Sequence, residues 1–196
     1  VEKSPEMLNV YAACAQAGLV FLPLNPSYTV DEAAYFIEDS KARLIICDEK
    51  NKEGLSILAK RLSVNIETLN SNSTGSIIDK SNFSQENFKS EERTRDDLAA
   101  LLYTSGTTGK SKGAMLTQAN LLSNGKALVD AWEFAKDDVL LHALPLFHTH
   151  GLFVATNVVL SAGGSMIFLP KFNLDDVIEN LLRATTMMGV PTFYTR

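Results

Sequence analysis

The sequence predicts an α/β protein built from mostly parallel β-sheets flanked by helices on both faces. Three observations lead there. Apolar runs of strand length recur along the chain: LVFLPL, RLIIC, LAALLYT, VLLHAL and SMIFL. Between them lie longer stretches whose apolar residues repeat at helical spacing behind a Ser, Thr or Asn suited to capping a helix. A run rich in glycine and threonine follows directly on one of the strands, where open α/β sheets take their ligands.

Taken in order, Ser4 caps a first helix with Pro5 at its first position, and Gly18 ends it. LVFLPL reads as a short buried strand. Thr29 and Glu32 form a capping box for a helix with Ala33, Ala34, Phe36 and Ile37 on its apolar side, and RLIIC is the next strand. From Asn70 to Asp97 the chain turns polar, through TLNSNSTGS and EERTRDD, which reads as an exposed loop or mobile connection. LAALLYT restores regular structure. Thr117 then caps a helix in which Leu121, Leu122, Leu128, Val129 and Trp132 recur at helical spacing, so Trp132 is expected in the core. VLLHAL, an apolar helix from about Gly151, SMIFL and a helix capped by Asn173 complete the alternation. The expected organisation is 1–69, a first α/β segment; 70–97, the polar connection; and 98–196, a second α/β segment. No fixed-period repeat is evident.

Composition narrows the function classes. Of the 196 residues 45% are hydrophobic and 21% charged, which suits an ordinary globular core. The net charge of -5 comes without a basic tract, so neither nucleic acid nor a membrane surface is an expected partner. Cys14 and Cys47 stand in apolar surroundings without C-x-x-C spacing and read as reduced thiols. No basic, then apolar, leader opens the chain, and the cytoplasm is the expected location. The charge runs DEKNKEG and EERTRDD read as solvated surface.

The stretch TSGTTGKSKG, Thr104 to Gly113, is one glycine short of a P-loop, because Thr104 stands where the leading glycine belongs. Gly106 and Gly109 permit backbone conformations that let consecutive amides surround an anion. Ser105, Thr107 and Thr108 add hydroxyl donors, and Lys110 and Lys112 add positive charge. Composition leaves a phosphate cradle and a solvated turn equally open. A P-loop kinase or NTPase is disfavoured by Thr104 and by the lack of a downstream strand ending in Asp.

YTSGTTGKSKGAMLT closely resembles the phosphate-binding signature of the adenylate-forming enzymes, the superfamily of acyl-CoA and aryl-CoA synthetases, luciferases and peptide-synthetase adenylation domains. Proline is common in that family where this chain has Ser111. AQAGLVFLPLNPSYT, LPLFHTHGLF and LPKFNLDDVIENLLRATTMMGVPTFYTR continue the resemblance. Within the family, FHTHGLF, SMIFLPKF and GVPTFYTR look most like malonyl-CoA synthetases.

The resemblance implies the fold of part of a large amino-terminal domain, and an acid–thiol ligase that turns a carboxylate into an acyl adenylate with Mg-ATP and then into a coenzyme A thioester. It implies that Thr104, Ser105, Gly106, Thr107, Thr108, Gly109, Lys110 and Lys112 contact ATP phosphates, that Thr104 ligates Mg²⁺, and that His148 orients the carboxylate. Arg196 resembles the arginine that holds the second carboxylate of malonate; as the last residue it also reads as a solvated terminus. The His148–His150 pair lacks the acidic or thiol partner a zinc site needs. The expected partners are a small carboxylic acid, ATP and coenzyme A. The chain looks like an internal piece of such an enzyme, lacking the carboxyl-terminal lid domain and inactive alone. A general acyl-CoA or aryl-CoA ligase and a non-catalytic nucleotide-binding module are the alternatives.

Overall fold

Strands and helices alternate through most of the chain, as the periodicity predicts. The structure is a computed structural model that describes residues 1–82, 88–104 and 111–195. The chain divides into two units, one of Val1–Arg93 with Ala100–Met115 and the other of Thr94–Ala99 with Leu116–Arg196.

In the first unit, α1 (Pro5–Gln16) starts on extended Ser4, whose hydroxyl accepts the Met7 N–H at 3.3 Å. It stops at Gly18, φ +64°, where Leu19 N–H returns to Cys14 O at 2.8 Å and Gly18 N–H to Ala15 O at 3.3 Å. This is the Schellman closure. α2 (Val30–Asp39) carries the expected Thr29–Glu32 capping box and buries Ala33, Phe36 and Ile37. β1 (Leu44–Cys47) and β2 (Asn65–Thr68) pair in parallel, from Leu44 opposite Asn65 to Cys47 opposite Thr68. Between them runs α3 (Glu49–Leu62), a right-length crossover for parallel strands.

DEKNKEG, expected at the solvated surface, opens α3, and its Glu49, Lys50 and Glu53 are exposed. The helix is real, because its far turns bury Leu58 and Ala59 against Ala33, Ile37 and Ile45. Asp48, just before it, is buried and accepts the Glu2 N–H at 3.2 Å. α4 (Ser76–Ser81) lies within the polar 70–97 stretch. β3 (Leu98–Thr104) and β4 (Lys112–Thr117) pair in a two-stranded sheet.

LVFLPL does not form the expected buried strand. A single parallel bridge joins Phe21 to Ala100, Leu101 N–H reaching Phe21 O at 2.9 Å, while Leu19 and Val20 are 54% and 42% exposed. Pro23 has no N–H for a further rung.

In the second unit, Thr117 caps α5 (Gln118–Ala131) in a box with Asn120. Trp132 is not core: it is 46% exposed, immediately after α5. The left-handed turn at Glu133, φ +54°, reverses the chain there and packs Phe134 inward in its place. The sheet runs β6 (Ser165–Phe168), β5 (Val139–His142), β7 (Thr186–Met187), all parallel. Central β5 is buried on both faces. Leu140 packs with Leu144, Ala155, Val158, Val159 and Met188, and Leu141 with Ala143, Leu169 and Val177. Because successive strand residues point oppositely, each leucine contributes about 2 kcal/mol to a different layer. α6 (Asn157–Ala162) supplies Val158 and Val159 to the first layer, and α7 (Leu174–Leu181), capped by Asn173, supplies Val177 to the second. The apolar helix expected from about Gly151 begins as a π-helix, His150–Thr156, and continues as α6.

Among the described residues no helix is long and apolar enough to cross a membrane.

Candidate functional site

Two of the sequence-predicted phosphate contacts, Thr104 and Lys112, sit at the end of β3 and the start of β4. Pairing of those strands brings them to one end of the small sheet, and both are exposed. Ser105, Gly106, Thr107, Thr108, Gly109 and Lys110 lie outside the described residues, as does Arg196.

Helix α2 supports both flanks. The Tyr35 hydroxyl donates to the main-chain carbonyl of Ser111 at 2.7 Å, and the Tyr103 hydroxyl donates to Asp39 Oδ2 at 2.6 Å. Burial, and after it the bond to Asp39, pushes the Tyr103 phenol well above its ordinary value, so it stays a neutral donor. The rings form a cluster: Phe36 lies 4.8 Å from Tyr103 and 5.2 Å from Tyr28, and Tyr35 meets Tyr103 edge-on at 6.1 Å. Gly113 passes directly over Tyr103, where a Cβ would stand 3.3 Å from the ring.

In the second unit, His148 is exposed in the loop that precedes the π-helix. Its ring lies 4.4 Å from that of Phe147, and its carbonyl accepts the Leu152 N–H at 3.1 Å. The loop is tight because Gly151 packs on Pro145: a Cβ there would come within 2.1 Å of the Pro145 carbonyl oxygen. His142, fully buried at the end of β5, contacts Gly151 O through Nε2 at 2.9 Å. Single-turn π-helical segments are found disproportionately at functional sites. Among the described residues no three His, Cys, Asp or Glu side chains gather to hold a metal.

Helices on both faces of a parallel sheet, with a glycine- and threonine-rich stretch joining two paired strands, define an α/β protein of the ligand-binding kind. The comparisons narrow the class: a model described as AMP-binding enzyme matches residues 1–196, and the chain belongs to that family. The chain is 34% identical over 194 residues to a malonate–CoA ligase of Arabidopsis thaliana, covering 92% of this chain and 32% of that protein. ATP-bound MatB of Rhodopseudomonas palustris superposes with a TM-score of 0.97 at 53% identity, over all of this chain and 39% of that one. A malonyl-CoA ligase in a product complex with methylmalonyl-CoA and AMP gives 0.77 at 30% identity, over 98% and 39%. The chain thus spans about a third of the length of the curated relatives it matches.

Sequence reasoning missed Tyr35, Tyr103, Asp39 and His142 as supports. Only Tyr35 left a trace: a hydroxyl within the otherwise apolar AAYFI needs a partner. Its acceptor stands 76 residues away, and no local pattern names it.

Proposed function

We propose that the complete polypeptide is an acid–thiol ligase that converts malonate or methylmalonate to its coenzyme A thioester through an acyl adenylate. A carboxylate is a poor electrophile. Its attack on the α-phosphate of Mg-ATP, with pyrophosphate leaving, gives an acyl adenylate, and the thiol of coenzyme A then displaces AMP. The first step is largely a matter of alignment and charge neutralisation. Lys110 and Lys112 supply charge to the β- and γ-phosphates, and His148 orients the reacting carboxylate. Arg196 pairs with the second carboxylate, whose burial without a partner is costly. The exposed Thr104 hydroxyl suits Mg²⁺ as one oxygen ligand among several.

The observation that carries this reading is the glycine stretch itself, flanked by Thr104 and Lys112 at one end of a paired-strand sheet. The similarity to a malonate–CoA ligase at 34% identity and to a malonyl-CoA ligase bound to methylmalonyl-CoA at 30% favours the diacid.

The test is exchange of labelled pyrophosphate into ATP without coenzyme A, with malonate, methylmalonate, acetate and a medium-chain fatty acid in parallel. Exchange with the diacids alone supports the proposal. Exchange with monocarboxylates makes the protein a general acyl-CoA ligase, and no exchange with any acid leaves a non-catalytic nucleotide-binding module. The Lys110→Ala, Lys112→Ala double variant is expected to lose exchange.

A further inference from the structure

We propose that Tyr35 is a positioning residue for Mg-ATP: its hydroxyl fixes the main chain at Ser111 and thereby aims Lys112. The inference rests on the reading of Lys112 as a phosphate ligand given above.

Ser111 directly precedes Lys112, and its carbonyl is held at 2.7 Å by a half-buried side chain from a different element. The acceptor is main-chain, so the contact is indifferent to the side chain at position 111. Four residues further along α2, Asp39 accepts from Tyr103 at 2.6 Å, and Tyr103 is the neighbour of Thr104. Residues four apart share a helix face, so one face of α2 grips the end of β3 and the start of β4 together. α2 is itself a firm base: the Thr29–Glu32 box closes its start, and Phe36 packs between Tyr28 and Tyr103.

A lysine ammonium on a four-carbon stem gains little from a phosphate unless its own backbone is placed first. The Tyr35 bond does that placing before nucleotide arrives. Its loss should weaken nucleotide binding while leaving the acid's contacts, which lie on other residues, alone.

The experiment compares Tyr35→Phe with wild type in the complete polypeptide. Phenylalanine keeps the ring in its cluster and removes the donor. The expected result is a rise of about fivefold in KM for Mg-ATP in pyrophosphate exchange, the size of one lost hydrogen bond, with KM for the carboxylate within about twofold. An unchanged KM for Mg-ATP overturns the proposal, and so does an equal rise in both constants, which marks general loss of structure. Amide hydrogen exchange gives a second reading independent of catalysis. Faster exchange at Lys112–Met115, with the β1–β2 amides unchanged as internal reference, supports the anchor; equal exchange at Lys112–Met115, or faster exchange throughout, overturns it. If wild type exchanges pyrophosphate with no acid, the functional reading fails and hydrogen exchange alone decides the anchor.

Discussion

His142 holds Gly151: the ring Nε2 lies 2.9 Å from the Gly151 carbonyl oxygen, deep in the second unit, with both residues buried. A carbonyl only accepts, so Nε2 carries the proton, a tautomer assigned from the bond itself. Thr156 Oγ1 donates to the same oxygen at 2.9 Å. The first carbonyls of a π-helix bond five residues along, and here side chains add to the fastening at its start. Replacing His142 with Phe keeps a ring beside Phe168 but leaves the carbonyl one donor short. The expected cost is about 2 kcal/mol in urea unfolding. A cost below about 0.5 kcal/mol would show that Thr156 alone satisfies the carbonyl.

Gly151 is required for space rather than for an unusual backbone angle. Any Cβ meets the Pro145 carbonyl oxygen at 2.1 Å and its carbon at 2.9 Å, and both are main-chain atoms that no rotamer change can move. Gly151→Ala therefore has to open the 145–151 loop, at an expected cost of about 3 kcal/mol. Because His148 stands in that loop, its ring resonances should shift in the variant, whereas those of Tyr103 in the other unit should not. Thermal unfolding with NMR of the aromatic side chains checks both.

Among the described residues, five helices end in a left-handed residue, of which α1 and α6 have glycine there, Gly18 and Gly163; Lys41, Ser63 and Glu133 do the same work at α2, α3 and α5. A side chain in that conformation costs about 1–2 kcal/mol, partly offset by the greater freedom glycine loses on folding, about 0.5–1 kcal/mol. Glu133→Gly should therefore stabilise the protein by about 0.5–1 kcal/mol, since Glu133 is exposed and its φ is +54°. Denaturant titration detects this; a loss of stability would mean the glutamate side chain holds the turn.

These same positions explain what was legible in the sequence. Helix starts were readable because Ser4, Thr29, Thr117 and Asn173 cap through their own side chains, a signal written within three residues. Ends without glycine gave no such signal, so the end of α5 was missed and Trp132 was placed in the core. α3 was hidden because its first turns, EKNKEG, are nearly all polar and its buried Leu58 and Ala59 come only near its end. β1, β5 and β6 were legible as apolar runs, and the buried faces of β5 answer to them, whereas β2, NIET, is too polar to read as one. LVFLPL fit the same template, yet whether such a run joins a ladder depends on partners remote in sequence, and on Pro23. At the candidate site, Thr104, Lys112 and His148 are nominated by local motifs. Tyr35 and His142 act through main-chain carbonyls, Ser111 and Gly151, and a carbonyl leaves no mark in a sequence.

Glu67 ties β2 to α4. Its carboxylate accepts from the Lys80 ammonium and from Ser76 Oγ at 2.6 Å, while Ser76 and Thr68 exchange bonds, Thr68 N–H to Ser76 Oγ at 2.9 Å and Ser76 N–H to Thr68 Oγ1 at 3.0 Å. The Lys80 hydrogen bond, then that from Ser76, holds the Glu67 carboxyl below its ordinary value. A carboxyl whose folded pKa is depressed stabilises the fold at pH above the unfolded value, about 4.3, and that contribution disappears as pH falls through the folded value. Lys80 is exposed, so solvent screens the pair and the contribution at pH 7 is about 0.5–1 kcal/mol. Glu67→Gln should cost that much at pH 7 in urea titrations, with the difference from wild type narrowing steadily below about pH 4. Salt at about 0.5 M should shrink the gap at pH 7 without closing it, because screening weakens the Lys80 attraction but leaves the Ser76 bond, which glutamine accepts less well than a carboxylate. A cost that is independent of pH would assign Glu67 a packing role instead.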